Sequence, residues 1–170
     1  MLDKGPVFPP KRRVRRLQAL VGTVLVVLAA ILFIVSRYSA GEGDAIALDF
    51  IPKTAYFERP DTLIELEVAT STEARTRGLS GREKLAENKA LLMVFPEDGA
   101  YGIWMKDMLF SIDVLWLDSK GRITDFVERM APETYPLSFV PSGKVRYVIE
   151  ASAGFVAEHG IAAGDVVVFE

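Results

Sequence analysis

The chain of 170 residues has no cysteine and a single histidine, His159. The absence of cysteine excludes disulfides, cysteine nucleophiles, thiolate zinc sites, iron–sulfur ligation and covalent haem attachment. It also excludes the lipid-modified cysteine of a bacterial lipoprotein. One histidine cannot build a zinc site of two or three imidazoles, and any catalytic triad would have to use His159. No G-x-S-x-G, P-loop or H-E-x-x-H motif occurs, and the glycines form no phosphate-cradling pattern. Only a hard cation held by carboxylates remains open, and no cofactor or metal is expected.

A surplus of positive charge is also missing from most of the chain. Residues 41–170 carry 13 Lys/Arg against 22 Asp/Glu, net −9, whereas residues 1–40 carry seven Lys/Arg against one Asp, net +6. The acidic part lacks the basic face that neutralises phosphates, so no nucleic-acid partner is expected.

The sequence does contain one long apolar run. Residues 17–36 include 16 apolar residues in 20, and no charge falls between Leu17 and Val35. A helix of that length spans a bilayer core of about 30 Å. Lys11, Arg12, Arg13, Arg15 and Arg16 precede it, which places residues 1–16 in the cytoplasm and the C-terminal part outside. The expected protein is therefore single-pass in the cytoplasmic membrane. The rival reading is a cleaved signal peptide, whose apolar region is usually shorter and ends at a small-x-small site. Residues 37–61 then read as a tether and lead-in, and residues 62–170 as one domain.

That domain reads as mainly β. Ile64, Leu66 and Val68 alternate with Glu65 and Glu67, and Val145, Tyr147 and Ile149 alternate with Arg146 and Glu150. Leu91–Phe95, Ile112–Leu117 and Val166–Phe169 are apolar runs of strand length, and Asp118-Ser-Lys-Gly121 is a hairpin turn. Two short helices are expected. One is capped at Thr70 with Gly78 behind it. The other runs from Ala153 to His159, capped by Ser152 and ended by Gly160. Many short strands with two small helices give a compact β-sandwich or open barrel.

Three groups of residues could carry chemistry. Arg75, Arg77 and Arg82 surround Gly78-Leu-Ser-Gly81, and guanidinium forks grip carboxylates and phosphates; the same residues also suit a solvated helix end. Gly102-Ile-Trp-Met-Lys-Asp-Met108 sets Lys106 and Asp107 among Trp104 and two methionines. Asp113 lies inside an apolar strand, which requires a partner; Lys106 or Arg82 could supply an ion pair. His159 suits a helix C-terminus, where it complements the dipole and can bond a free carbonyl.

Several of these pieces resemble, in the same order, a bacterial and archaeal family known as domain of unknown function number 192. The matching pieces are Val68-Ala-Thr70, Arg75-Thr-Arg-Gly-Leu-Ser-Gly-Arg82, Leu91-Leu-Met-Val-Phe95, Trp104-Met-Lys-Asp-Met108, Ile112-Asp113 and Asp118-Ser-Lys-Gly121. They continue through Tyr135-Pro136, Tyr147-Val-Ile-Glu150, Ala153-Gly-Phe155, Gly160-Ile161 and Gly164-Asp165. Ile103 stands where the family typically has Phe, Asp107-Met108 where many members have Asn-Thr, and Ser80 where many have Met. The resemblance implies a small, jelly-roll-like, mainly-β fold, often secreted or membrane-anchored. It implies no activity, because the family has none established.

Three functions compete at this level. The favoured one is a membrane-anchored extracytoplasmic module. Its ligand would be an anionic or polyhydroxyl small molecule, or an envelope component such as a glycan. The candidate contacts are Arg77, Arg82, Trp104, Lys106 and Asp113, with Tyr147 and Glu150 behind them. The second is an envelope-polymer hydrolase using Asp113 and Glu150 as an acid/base pair. The third is an accessory subunit of a membrane complex, its protein partner unspecified, marked by an exposed apolar patch.

Overall fold

A computed structural model describes residues 51–170. The basic segment 1–16, the expected membrane helix at 17–36 and the tether up to residue 50 lie outside the described residues. Among the described residues no helix is long and apolar enough to cross a membrane.

The period-two segments form strands. In chain order these are β1 Thr54–Phe57, β2 Thr62–Ala69, helix α1 Thr72–Arg77, β3 Lys89–Gly99, β4 Ile103–Trp104, β5 Ile112–Leu117, β6 Ile123–Met130, β7 Ser138–Phe139, β8 Val145–Ser152, helix α2 Phe155–His159 and β9 Val167–Phe169. One turn of 3-10 helix, Pro132–Thr134, precedes β7. Seven strands make one sheet in the order β6-β5-β8-β3-β2-β1-β9, and β4 pairs with β7 in a separate two-stranded ribbon. All neighbours are antiparallel except β2 and β3, which run parallel and are joined through α1. The sheet starts at β1, inside the stretch read from sequence as lead-in, because Ala55 and Phe57 alternate as buried positions.

The sheet curls until its edges meet. Arg122 bridges Val166, and the Ile123 and Val167 amides donate to Asp165 and Gly121 carbonyls at 2.9 Å each. Gly121 (φ +75°) is required there, since a Cβ would sit 2.3 Å from the Val167 carbonyl oxygen. The result is the open-barrel form of the sequence expectation. It is not a sandwich, because the second sheet has only two strands.

Curling gives the sheet two buried faces. Leu92, Val94, Leu115, Leu117, Ile149 and Ala151 point to the inner face, where Phe57, Ile64, Phe155 and Val167 complete a core. Their chain neighbours Leu91, Met93, Phe95, Val114, Trp116 and Val148 point outward, under Leu79, Met105 and Met108. β5 apart from Asp113, and β3 from Ala90 to Phe95, are therefore apolar on both parities, as strands covered on both sides must be.

The helix expectations need adjustment. Ser71, not Thr70, caps α1, its Oγ accepting from the Ala74 amide at 3.1 Å. α2 starts at Phe155 behind Gly154, and Ser152 does not cap it. The α2 cap comes from another strand, as the next subsection describes. His159 does as expected: its Nδ1 bonds the Phe155 carbonyl at 2.9 Å.

Candidate functional site

Among the described residues only two acids are fully buried, Asp113 and Glu150. They sit on adjacent strands. Asp113 of β5 faces Ala151 of β8, and Val114 faces Glu150. A one-residue offset in a strand sends side chains to opposite faces. The two carboxylates therefore share no cleft, and the Asp113/Glu150 acid/base pair does not form.

Asp113 points to the inner face and has no ion-pair partner among the described residues, contrary to the expectation of Lys106 or Arg82. Backbone amides take that role. Oδ1 accepts from Arg129 at 2.7 Å and Gly154 at 3.1 Å, and Oδ2 accepts from Val156 at 2.8 Å. Two of these are the open amides of the α2 N-terminus. The third belongs to a bulge in β6, where Arg129 takes a positive φ of 52°. Asp113 thus ties β5 to the β6 bulge and the α2 N-terminus.

Glu150 points to the outer face. Its Leu79 amide bond satisfies one oxygen, and Oε2 has no partner. Burial pushes this carboxyl up to about 7, against the opposing pull of the Arg82 charge and the Leu79 N–H. Gly78, which ends α1 at φ +51°, leaves the space Oε2 occupies: a Cβ there would lie 3.2 Å from that oxygen and 3.3 Å from the Met93 methyl.

Above Glu150 lies a cavity of about 420 Å³. Its floor is Met93 of β3 with Glu150 of β8. One wall is the end of α1, Arg75 to Ser80, and the other is Tyr101 to Trp104 with Met108. The two walls are fastened together, the Ser80 hydroxyl donating to the Lys106 carbonyl at 2.7 Å and the Gly81 amide to that of Asp107 at 2.8 Å. Phe95 and Tyr101 stack with centroids 3.6 Å apart, and the Trp116 indole N–H holds the Tyr101 carbonyl at 2.8 Å. Trp104 lines the mouth and is 47% exposed.

The arginines divide by role. Arg75 donates to the Thr70 and Val94 carbonyls and lies 5.0 Å from the Phe95 centroid, so its donors are committed to the scaffold. Arg82 forks onto Glu67 at 3.0 and 2.8 Å, so Glu67 is not a free solvent-facing acid. Arg77 is exposed at the cavity rim and pairs with no acid among the described residues.

Of the residues expected from sequence, Arg77, Trp104 and Glu150 thus come together around one cavity. Arg82 acts on Glu150 through charge. Lys106 is exposed and contributes only its carbonyl to the walls. Tyr147 packs on the inner face against Phe169, at 5.0 Å between ring centroids. Met93, Phe95, Tyr101 and Met108 were missed as site residues. Strand alternation was the available signal for the first two, since it puts Met93 and Phe95 on the outward side with Leu91 and its cross-strand partner Glu150.

A curled single-sheet β domain with a half-open cavity over one buried acid is the class that fold and site define. The chain belongs to the family DUF192, described as an uncharacterised ACR, whose profile matches residues 55–169. It is 34% identical over 104 residues to a UPF0127 protein of Thermococcus gammatolerans, a match covering 60% of this chain and 64% of that one. It is 30% identical over 105 residues to a UPF0127 protein of Thermococcus kodakarensis, covering 61% and 63%. The chain thus matches a little under two thirds of these relatives' length. Two crystal structures share the fold. A Sinorhizobium meliloti 1021 protein described as a candidate transcription regulator has TM-score 0.62 and 26% identity, over 71% of this chain and 95% of that one. A protein of unknown function from Novosphingobium aromaticivorans has TM-score 0.64 and 19% identity, over 69% and 84%.

Proposed function

We propose that this domain is a small-molecule binding module, held by the 17–36 segment outside the cytoplasm at the membrane, for an anionic or polyhydroxyl ligand. The observation that carries the reading is Glu150 Oε2, a buried acceptor with no donor, facing a cavity of ligand size. Trp104 and Tyr101 supply flat apolar walls, and Arg77 supplies a free cation at the rim. The regulator description of the Sinorhizobium meliloti protein is not carried over, because net −9 across residues 41–170 opposes phosphate contacts.

The test is a calorimetric panel of anionic metabolites and glycan fragments against the chain and its Trp104→Ala variant. A hit weakened by the variant supports the module. A silent panel, or hits indifferent to Trp104, sinks it. The anchor is tested separately by alkaline extraction of membranes, which leaves a spanning protein in the pellet and releases a cleaved one.

The accessory-subunit reading keeps one observation in its favour. Leu137 and Val140 around β7 and Leu109 after β4 are 64%, 59% and 63% exposed. Surface leucines and valines of this kind suit contact with another protein of the envelope. Leu137→Asp should then abolish co-purification of a specific partner while leaving ligand binding intact.

A further inference from the structure

The charges around the cavity are ordered from inside to outside. Glu150 is its only acid, fully buried at the floor. Of the two arginines that line it, Arg75 is tied to the Thr70 and Val94 carbonyls, which leaves Arg77 at the exposed rim. An anion driven to the floor would meet a like charge in a desolvated place. A hydroxyl would satisfy Oε2 but leave the buried charge uncompensated. An ammonium supplies the missing donor and the missing charge together, and the flanking Trp104 ring and methionine side chains tolerate a cation.

Resting on the binding reading above, we propose that the ligand is dipolar: a molecule of monosaccharide or amino-acid size carrying a primary ammonium inward to Glu150 and a carboxylate or phosphate outward to Arg77. Among the described residues one other charge bears on Glu150. That charge is Arg82, already paired to Glu67 of β2, while the cross-strand neighbours of Glu150 on β3 and β5 are the uncharged Leu91 and Val114. Ammonium binding therefore selects the ionised acid and tightens as pH rises through neutrality.

The experiment is calorimetric titration of the full chain with three probes: glucosamine 6-phosphate, glucose 6-phosphate and glucosamine. The doubly charged amine should bind at least about tenfold tighter than either of the others, the span of one charge-assisted hydrogen bond. Glu150→Gln should erase its advantage over glucose 6-phosphate, and Arg77→Gln its advantage over glucosamine. Glucose 6-phosphate binding as tightly as its amino analogue in the unaltered chain would overturn the inward ammonium while leaving the cavity a binding site. Binding that is unchanged in both variants would overturn the charge order, and silence from all three probes would overturn the dipolar class; the unbiased panel then judges the binding reading alone.

Discussion

The inner and outer faces of the sheet each bury one acid, on adjacent strands and one register step apart, and the two are treated in opposite ways. Asp113, 0% exposed, has three amides aimed at it. Glu150, 4% exposed, has one amide and an empty oxygen. Burial therefore does not separate an acid whose oxygens the fold satisfies from one left with an open oxygen. The count of donors around each oxygen does. A fold that supplies every donor has used the carboxylate to join its own parts, here a strand, a bulge and a helix end. One that leaves an oxygen bare beside a cavity has kept an unfilled contact.

The largest effect expected from this contrast is on the inner face. Asp113→Ala leaves the buried Gly154 and Val156 amides and the part-buried Arg129 amide without their acceptor. At about 1–3 kcal/mol for each buried amide left bare, with partial relaxation, the domain should lose roughly 3–5 kcal/mol. Asp113→Asn keeps one acceptor oxygen and should fall between. Urea denaturation reads both, and an unmoved midpoint would break the distinction between the faces.

Glu150→Gln should do the reverse. The folded carboxyl is raised to about 7, above its unfolded value near 4.5, so the native state holds the proton longer. The stability this group contributes is then greatest below the unfolded value and falls as pH rises, reaching its full loss above about 7. The lost amount is about 3 kcal/mol at 1.36 kcal/mol per pKa unit. Glutamine cannot ionise, so the variant should lack this slope and be the more stable protein at pH 8. Parallel stability–pH curves for the two chains would remove Glu150 from the list of acids held at a cost to the fold.

The same contrast marks where sequence reading stops. Alternation at Ile64–Val68 and Val145–Glu150 and the runs at Leu91 and Ile112 were sufficient to place the central strands, because one buried face per residue parity is a local property. Asp113 could be recognised as an acid needing a partner. Its partners lie 16, 41 and 43 residues away on backbone amides, which no side-chain pattern encodes. The ion pair expected with Lys106 or Arg82 failed for that reason. Arg77, Trp104 and Glu150 carried local signals, a glycine-flanked arginine, an exposed-type aromatic and a strand acid, and the curl brought them together. Tyr101 carried none and Met108 only its membership of the Gly102–Met108 stretch, since their place at the cavity follows from the Ser80 and Gly81 bonds that close one loop onto the other.

The smallest expected effect is also the sharpest probe of the outer face. Arg82 and Glu67 form a forked pair with side chains 37% and 41% exposed, where ion pairs contribute at most about 1 kcal/mol. Arg82→Met should therefore barely move the denaturation midpoint below about pH 5, where Glu150 stays protonated in the native state. The Arg82 charge also bears on Glu150, which it holds below the value that burial alone would set. Removing it should raise the Glu150 titration above neutrality. The pH at which stability stops falling should move up with it. A carbon-13 NMR titration of the side-chain carboxyl measures the shift directly. If the midpoint drops steeply while the titration stays put, Arg82 serves the outer face as Asp113 serves the inner one, through its bonds. If the titration moves and the midpoint below about pH 5 does not, Arg82 serves it through charge, tuning an acid that the fold has left open.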